Sequence, residues 1–196
     1  MPISSLADLF VYALGTTYDA EHRLLSLLKR IVARVSDESL RPMLFTHIAE
    51  SERQIGRLER LFADLGTNPR RIDCAAALGF ASDAERLIAE VEGEGHFTDA
   101  VLTDLLGRGK RLEAVLYHHL LVVADPLAPS ASIALLSASG KEEQFVATML
   151  EWARPRLLRQ AGAEGAFDVN AEPTLAERVA LRGASAAGPD VSDLAH

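Results

Sequence analysis

Apolar residues recur at steps of three and four through four long blocks, and this period constrains the fold more than any other feature. The first block covers about 3–35, with Leu6, Phe10, Leu14, Leu24, Leu28, Ile31 and Val35 on one side. The second covers about 38–65, with Leu40, Leu44, Ile48, Ile55, Leu58 and Phe62. Pro42 lies near its start, where a missing N–H matters least. The third covers about 98–124, with Thr98 or Asp99 as N-cap. The fourth covers about 130–158, through Leu135, Leu136, Phe145, Val146, Met149, Leu150 and Trp152. "SDES" at 36–39, Gly66 with "TNPRR", "EGEGHF" and "ADPLAPSAS" mark the breaks. A shorter helical pair is expected at about 72–78 and 83–92, broken at Gly79 and restarted by Ser82–Asp83. No segment alternates with period two, so no sheet is expected. Four helices of roughly 25–30 residues predict an all-α four-helix bundle, with a long, partly helical connection between the second and third long helices. The bundle is placed at 1–160. After Arg159 the chain turns to Ala, Gly, Pro and Asp, so 161–196 reads as a mostly irregular C-terminal tail, with room for one short helix at 173–182.

Charge narrows the functions. Lys and Arg number 20 against 28 Asp and Glu, a net charge of −8. Nucleic-acid binding needs clustered cations for counterion release, so none is expected. The arginines at 53–71 alternate with acids, as on a solvated helix face. Cys74 is the only cysteine, which rules out an intrachain disulfide and reads as a small buried hydrophobe. No apolar run reaches the roughly 18–20 residues that span a bilayer. "MPISSLADLF" has no basic region of a secretory signal. No membrane association and a cytoplasmic location are the expectations. No Gly-x-Ser-x-Gly elbow is present and Cys74 lacks an obvious base, so a nucleophilic hydrolase is unsupported.

The polar residues on the apolar stripes carry the remaining information. In the first helix Phe10, Leu14, Thr17, Glu21, Leu24 and Leu28 share a face, which turns Glu21 inward. In the second, the stripe is Leu40, Met43, His47, Glu50, Gln54, Leu58 and Leu61, with His47 and Glu50 at a spacing that lets both reach one ion. The third is mostly Leu and Val, with Gly109 and Glu113. In the fourth, Glu142 or Glu143 interrupts the stripe. Each long helix thus brings a carboxylate near its middle. Buried carboxylates persist when paired, hydrogen-bonded, protonated or metal-bound. Such a set, with a histidine, is the kind that holds two iron or manganese ions in a bundle. The other histidines read differently. His22 is expected at the surface and His96 in a loop, while His118 and His119 are adjacent, cannot both face inward, and are expected to line the end of the bundle.

"LFVYALGTTYDAEHRLLSLL", "HIAESERQIGRLERLFADLG", "CAAALGF", "DAVLTDLLGRGKRLEAVLYHHLL" and "LLSASGKEEQ" stand in an order and spacing that resemble the YciF-like family of bacterial ferritin-like proteins, over about residues 5–160. The resemblance implies a ferritin-like (rubrerythrin-like) four-helix bundle, a homodimer, a link to stress responses, and metal-ligand carboxylates at the bundle centre. It implies no defined substrate and leaves open whether the protein is an enzyme. Position by position, Glu21 matches the first-helix glutamate. Glu50 matches the glutamate after the family's His-Leu-Glu, of which one acid falls on Ala49. In the third helix Tyr117 matches a tyrosine and Glu113 the second of two glutamates, whereas the first falls on Lys110. Glu142 and Glu143 match the acidic pair of the fourth helix, but the next acid falls on Ala147 and no Glu-x-x-His follows.

Two functional readings result. One is a carboxylate-bridged di-iron or di-manganese protein with oxygen or peroxide chemistry, its metal ligands drawn from Glu21, His47, Glu50, Glu113, Glu142 and Glu143. The other, preferred, is a stress-associated structural or interaction homodimer whose dinuclear site is degenerate or lost, leaving it metal-free. Lysine offers three donors and no acceptor, so it cannot bridge metals. If Lys110 points inward, it replaces a metal charge by pairing with carboxylates; if outward, Gly109 and Glu113 set the interior face.

Overall fold

The computed structural model describes residues 3–163, which form five α-helices and no strand. They are α1 (Leu6–Val32), α2 (Arg41–Asp64), α3 (Ala75–Glu90), α4 (His96–Ala124) and α5 (Ser130–Ala163). The four long helices are the four apolar blocks. Short turns make α1 and α2 an antiparallel pair and α4 and α5 another. The α4–α5 pair is the most extensive contact; α1 packs on α4, α2 and α3, and α2 meets α5 only lightly. Leu14, Leu28, Leu58, Phe62, Leu102, Leu105 and Leu120 fill the continuous core. None of the described helices is long and apolar enough to cross a membrane.

Local chemistry explains the ends. Ser5 caps α1 by accepting from Asp8 N–H at 3.1 Å. Asp37 accepts from Ser39 N–H and Leu40 N–H at the entry to α2, where Pro42 sits in the first turn. Thr98 or Asp99 is the cap the sequence predicts for α4, and neither serves as one. α4 begins at His96 after Gly95, whose φ of 107° favours glycine, and no side chain caps it. Asp99 is instead buried and accepts from Ser36 N–H at 2.8 Å, Ser36 Oγ at 2.7 Å and Asp37 N–H at 2.8 Å, pinning the α1–α2 turn to α4. His96 is accordingly the first residue of a helix and not part of a loop.

The connection between α2 and α4 also departs from expectation. The pair at 72–78 and 83–92 is one helix, α3, with Gly79 inside it. An exposed helical glycine costs about 1 kcal/mol against alanine, too little to break a helix held by buried Ala77 and Ala84 and by Phe80 and Leu87 packed on the core. The chain ahead of α3 is docked onto α1: Ile72 N–H donates to Gly15 O at 3.1 Å, and a Cβ at Gly15 would meet Ile72 Cδ1 at 2.7 Å. Cys74 is buried as expected, and its N–H donates to Asp19 at 2.9 Å. α5 runs three residues past the expected end of the bundle at 160 and includes Pro155. The helix expected at 173–182 lies outside the described residues, as does the chain beyond 163.

Candidate metal centre

Four of the six sequence-derived candidates meet in the interior. Glu21 on α1, His47 on α2, Glu113 on α4 and Glu143 on α5 are all almost wholly inaccessible to solvent. The helical stripes put them there: each replaces one apolar residue in a row that otherwise fills the core. Lys110, one turn before Glu113 on α4, faces the same interior. Its ammonium contacts Glu113 and lies 3.0 Å from Glu143 Oε2. The question of its direction is therefore settled as inward, together with its neighbour Gly109, whose missing Cβ leaves room for Phe80 of α3.

The other two candidates stand at the rim. Glu50 is 27% exposed and meets His47 Nδ1 through Oε2 at 3.2 Å. Glu142 is 30% exposed, turned towards α2, where Arg57 donates to it at 2.7 and 3.0 Å and Gln54 at 3.0 Å. Burial would raise the Glu142 pKa, but Arg57 and Gln54 outweigh it and hold it below the ordinary value. Of the adjacent pair on α5, Glu143 is the interior residue and Glu142 closes the α2–α5 seam.

The electrostatics follow from burial and from each other. His47 is pushed down to about 2 by burial and then by Lys110, so its ring is neutral. Placing its proton on Nδ1, towards Glu50, leaves Nε2 with an unshared pair, 3.9 Å from Glu143 Oε1. Glu21 is pushed up to about 8, first by burial and then by Glu143. Glu113 is raised well above its ordinary value, first by burial, against the opposing pull of Lys110. Burial disfavours the Lys110 ammonium, yet Glu113, Glu143 and Glu21 outweigh that and hold its pKa above the usual lysine value. One ammonium thus offsets one of three carboxylate charges, and the cluster retains protons for the rest. Those protons belong to the group rather than to fixed residues. Tyr117 lies beside Glu21, coupled to its charge but without good hydrogen-bond geometry, and burial keeps the phenol neutral. Both Glu21 oxygens, His47 Nε2, Ser51 Oγ and Gln54 Oε1 accept no hydrogen bond.

This arrangement does not fit a dinuclear carboxylate centre. A bridging position between α4 and α5 is taken by an ammonium, and two expected ligands are committed elsewhere: Glu50 to His47 and Glu142 to Arg57. Among the described residues no three His, Cys, Asp or Glu side chains are arranged to hold a metal ion. Stripe reasoning also passed over buried Asp19, two residues before Glu21. Asp19 is matched by Arg23, Arg71 and the Cys74 N–H and holds the α3 connection. His22 is half-buried, with its ring edge-on to Tyr18, rather than exposed. His118 and His119 are both exposed; His118 borders a groove between α4 and α5.

Known proteins share this architecture. The profile of a family described as a domain of unknown function, DUF892, matches residues 5–163. Protein YciF of Escherichia coli (strain K12) is 26% identical over 145 residues, which cover 74% of this chain and 87% of YciF. Among solved structures, YcfI from Rhodopseudomonas palustris aligns with a TM-score of 0.71 and 25% identity, over 76% of this chain and 94% of that one. The Escherichia coli stress protein YciF aligns with a TM-score of 0.73 and 23% identity, over 81% of this chain and 99% of that one; at this identity the likeness shows the fold. The extent of the profile match and the shared bundle place the chain in the YciF-like family, DUF892.

Proposed function

We propose that this protein is a stress-associated, ferritin-like bundle that works as a structural or interaction homodimer, with the position of a dinuclear metal centre held by an internal ion pair. The observation that carries this reading is the Lys110 ammonium, buried, in contact with Glu113 and 3.0 Å from Glu143. A redox centre needs ligands that offer lone pairs and an open coordination position. Here a covalently held cation stands among them. The stress association rests on the likeness to YciF, described as a stress protein in Escherichia coli.

The interaction role is supported by the outer face of α4 and α5. Val115 and Val122 on α4, and Phe145 and Trp152 on α5, are each spaced by two helical turns, and Phe145 and Trp152 are 65% and 72% exposed. Between the helices a groove of about 440 Å³ is lined by Ala114, Val115, Ala147 and Thr148 together with the polar Arg111, His118, Gln144 and Glu151. Exposed apolar stripes of this kind mark surfaces that bind other proteins.

One preparation tests both halves. The protein is incubated with Fe(II) or Mn(II), freed of excess ion, and analysed for metal content, thermal stability and mass in solution. The expected result is a dimer with no stoichiometric metal and no thermal shift, since an ion that binds the native state must raise its stability. Two ions per chain, with a raised melting temperature that is lost in Glu21→Gln, would establish the dinuclear reading instead. A monomer at all concentrations would remove the homodimer.

A further inference from the structure

The cluster around Lys110 is oversupplied with acceptors. Three carboxyl groups face one ammonium, so two of them have no counter-charge and stay neutral only by holding protons. Neither oxygen of Glu21, nor His47 Nε2, accepts a hydrogen bond from any side chain. Unpartnered buried polar atoms are rare in folded proteins and call for a physical reason. The neighbouring donors do not fill the gap: Gln54 donates outward to Glu142, Arg57 is spent on Glu142 and Ser139, and the Tyr117 hydroxyl beside Glu21 is itself unpartnered.

Two more features point the same way. Glu50 engages Nδ1 of His47 from the rim and turns Nε2 inward. A carboxylate behind a histidine is the usual support of a metal-binding imidazole. The ammonium nitrogen also marks a point that two carboxylates, from α4 and α5, already reach. A divalent ion draws carboxylate oxygens to about 2.0–2.2 Å, a sub-ångström to one-ångström contraction from the separation that Lys110 holds. What the set lacks is an unoccupied centre, because the ammonium repels any second cation brought to the same oxygens.

We propose that Lys110 is the element that excludes metal, and that Glu21, His47, Glu113 and Glu143, no three of which are arranged to hold an ion as they stand, close on one divalent transition-metal ion once the ammonium is removed. This rests on the metal-free reading above. Shortening the side chain to alanine frees both the charge and the volume of three methylenes and a nitrogen, enough for an ion with bound water. With the ammonium gone, three carboxyl groups remain; any two of them, ionised, match one divalent cation, and His47 Nε2 supplies a nitrogen ligand of the kind that suits Zn(II) and Co(II).

The test is Co(II) titration of chelator-treated wild type and Lys110→Ala, read by the visible absorption of bound Co(II), by elemental analysis and by thermal shift. The expected result is no saturable binding in wild type, one ion per chain in Lys110→Ala, and affinity at least tenfold weaker when Glu21→Gln or His47→Ala is added. A folded Lys110→Ala that takes up no more Co(II) than wild type overturns the inference and leaves the metal-free reading standing. Stoichiometric binding by wild type overturns that reading itself. If Lys110→Ala is unfolded without metal, refolding in Co(II) is the readout: recovery of the native helical signal supports the site, and failure to recover it overturns it.

Discussion

Asp99 and Glu21 are buried to the same degree, yet they do opposite things with their charge. Asp99 accepts three short hydrogen bonds from Ser36 and Asp37 and locks the α1–α2 turn onto α4. Glu21 accepts none and is driven to hold a proton. Asp19, two residues away on α1, belongs with Asp99, since Arg23, Arg71 and Cys74 surround it. Burial alone therefore does not mark a functional acid. A carboxylate that holds loops together has its partners built in. The central group has a surplus of acceptors and a single cation, and that imbalance distinguishes a site from a strut.

The contrast can be broken experimentally, and the largest effect belongs to Lys110. Lys110→Met leaves three buried carboxylates without a counter-charge and should cost about 3–5 kcal/mol in urea unfolding, as when one partner of a buried pair is removed. A loss under about 1 kcal/mol would mean that the ammonium is not paired. Asp99→Asn comes next, at roughly 2–3 kcal/mol, because the amide loses charge-assisted bonds and presents donors to donors. If it were as mild as a surface change, the pinning of the α1–α2 turn would be wrong.

Glu21→Gln should be the mildest, within about 1 kcal/mol of wild type near pH 6, since the acid it replaces is already protonated there. Its signature is in the pH dependence. The folded Glu21 pKa of about 8 lies above the ordinary 4.5, so the native state binds the extra proton between those values. Stability from this group is full below about 4.5 and is lost as pH rises through 8. Wild type should weaken as pH rises from about 4.5 to about 8, and Glu21→Gln should flatten that slope. His47 acts at the other end: its folded pKa near 2, below the ordinary 6.5, removes stability as pH falls from 6.5. Equal slopes in wild type and Glu21→Gln would contradict the protonated state of the cluster.

The same contrast explains what could be read from the sequence. The four long helices and the inward turn of Glu21, His47 and Glu113 were legible because a 3.6 period is strong over some 25 residues. Glu50 reads as inward because it lies at the edge of its stripe, and that edge stands at the rim; between Glu142 and Glu143 the stripe leaves the choice open, and only the packing of α5 turns Glu143 inward and Glu142 to the α2–α5 seam. Lys110 could not be assigned a direction because α4 is covered by α1, α3 and α5, so Gly109, Lys110 and Glu113 all face protein. The roles of Asp19 and Asp99 depend on partners 50 or more residues away, which no local period carries. Gly79 read as a break because propensity was weighed without the packing of Ala77 and Ala84.

The central claim is that a charged lysine stands where a metal would. It is tested most directly by the side-chain nitrogen resonance of Lys110, assigned by its loss in Lys110→Met and followed from pH 6 to 10 with and without Zn(II). The account predicts an ammonium throughout that range, in keeping with a pKa held above the ordinary 10.5, and no change on adding the ion. A transition to the neutral amine within the range, or displacement of the resonance by Zn(II), would contradict it.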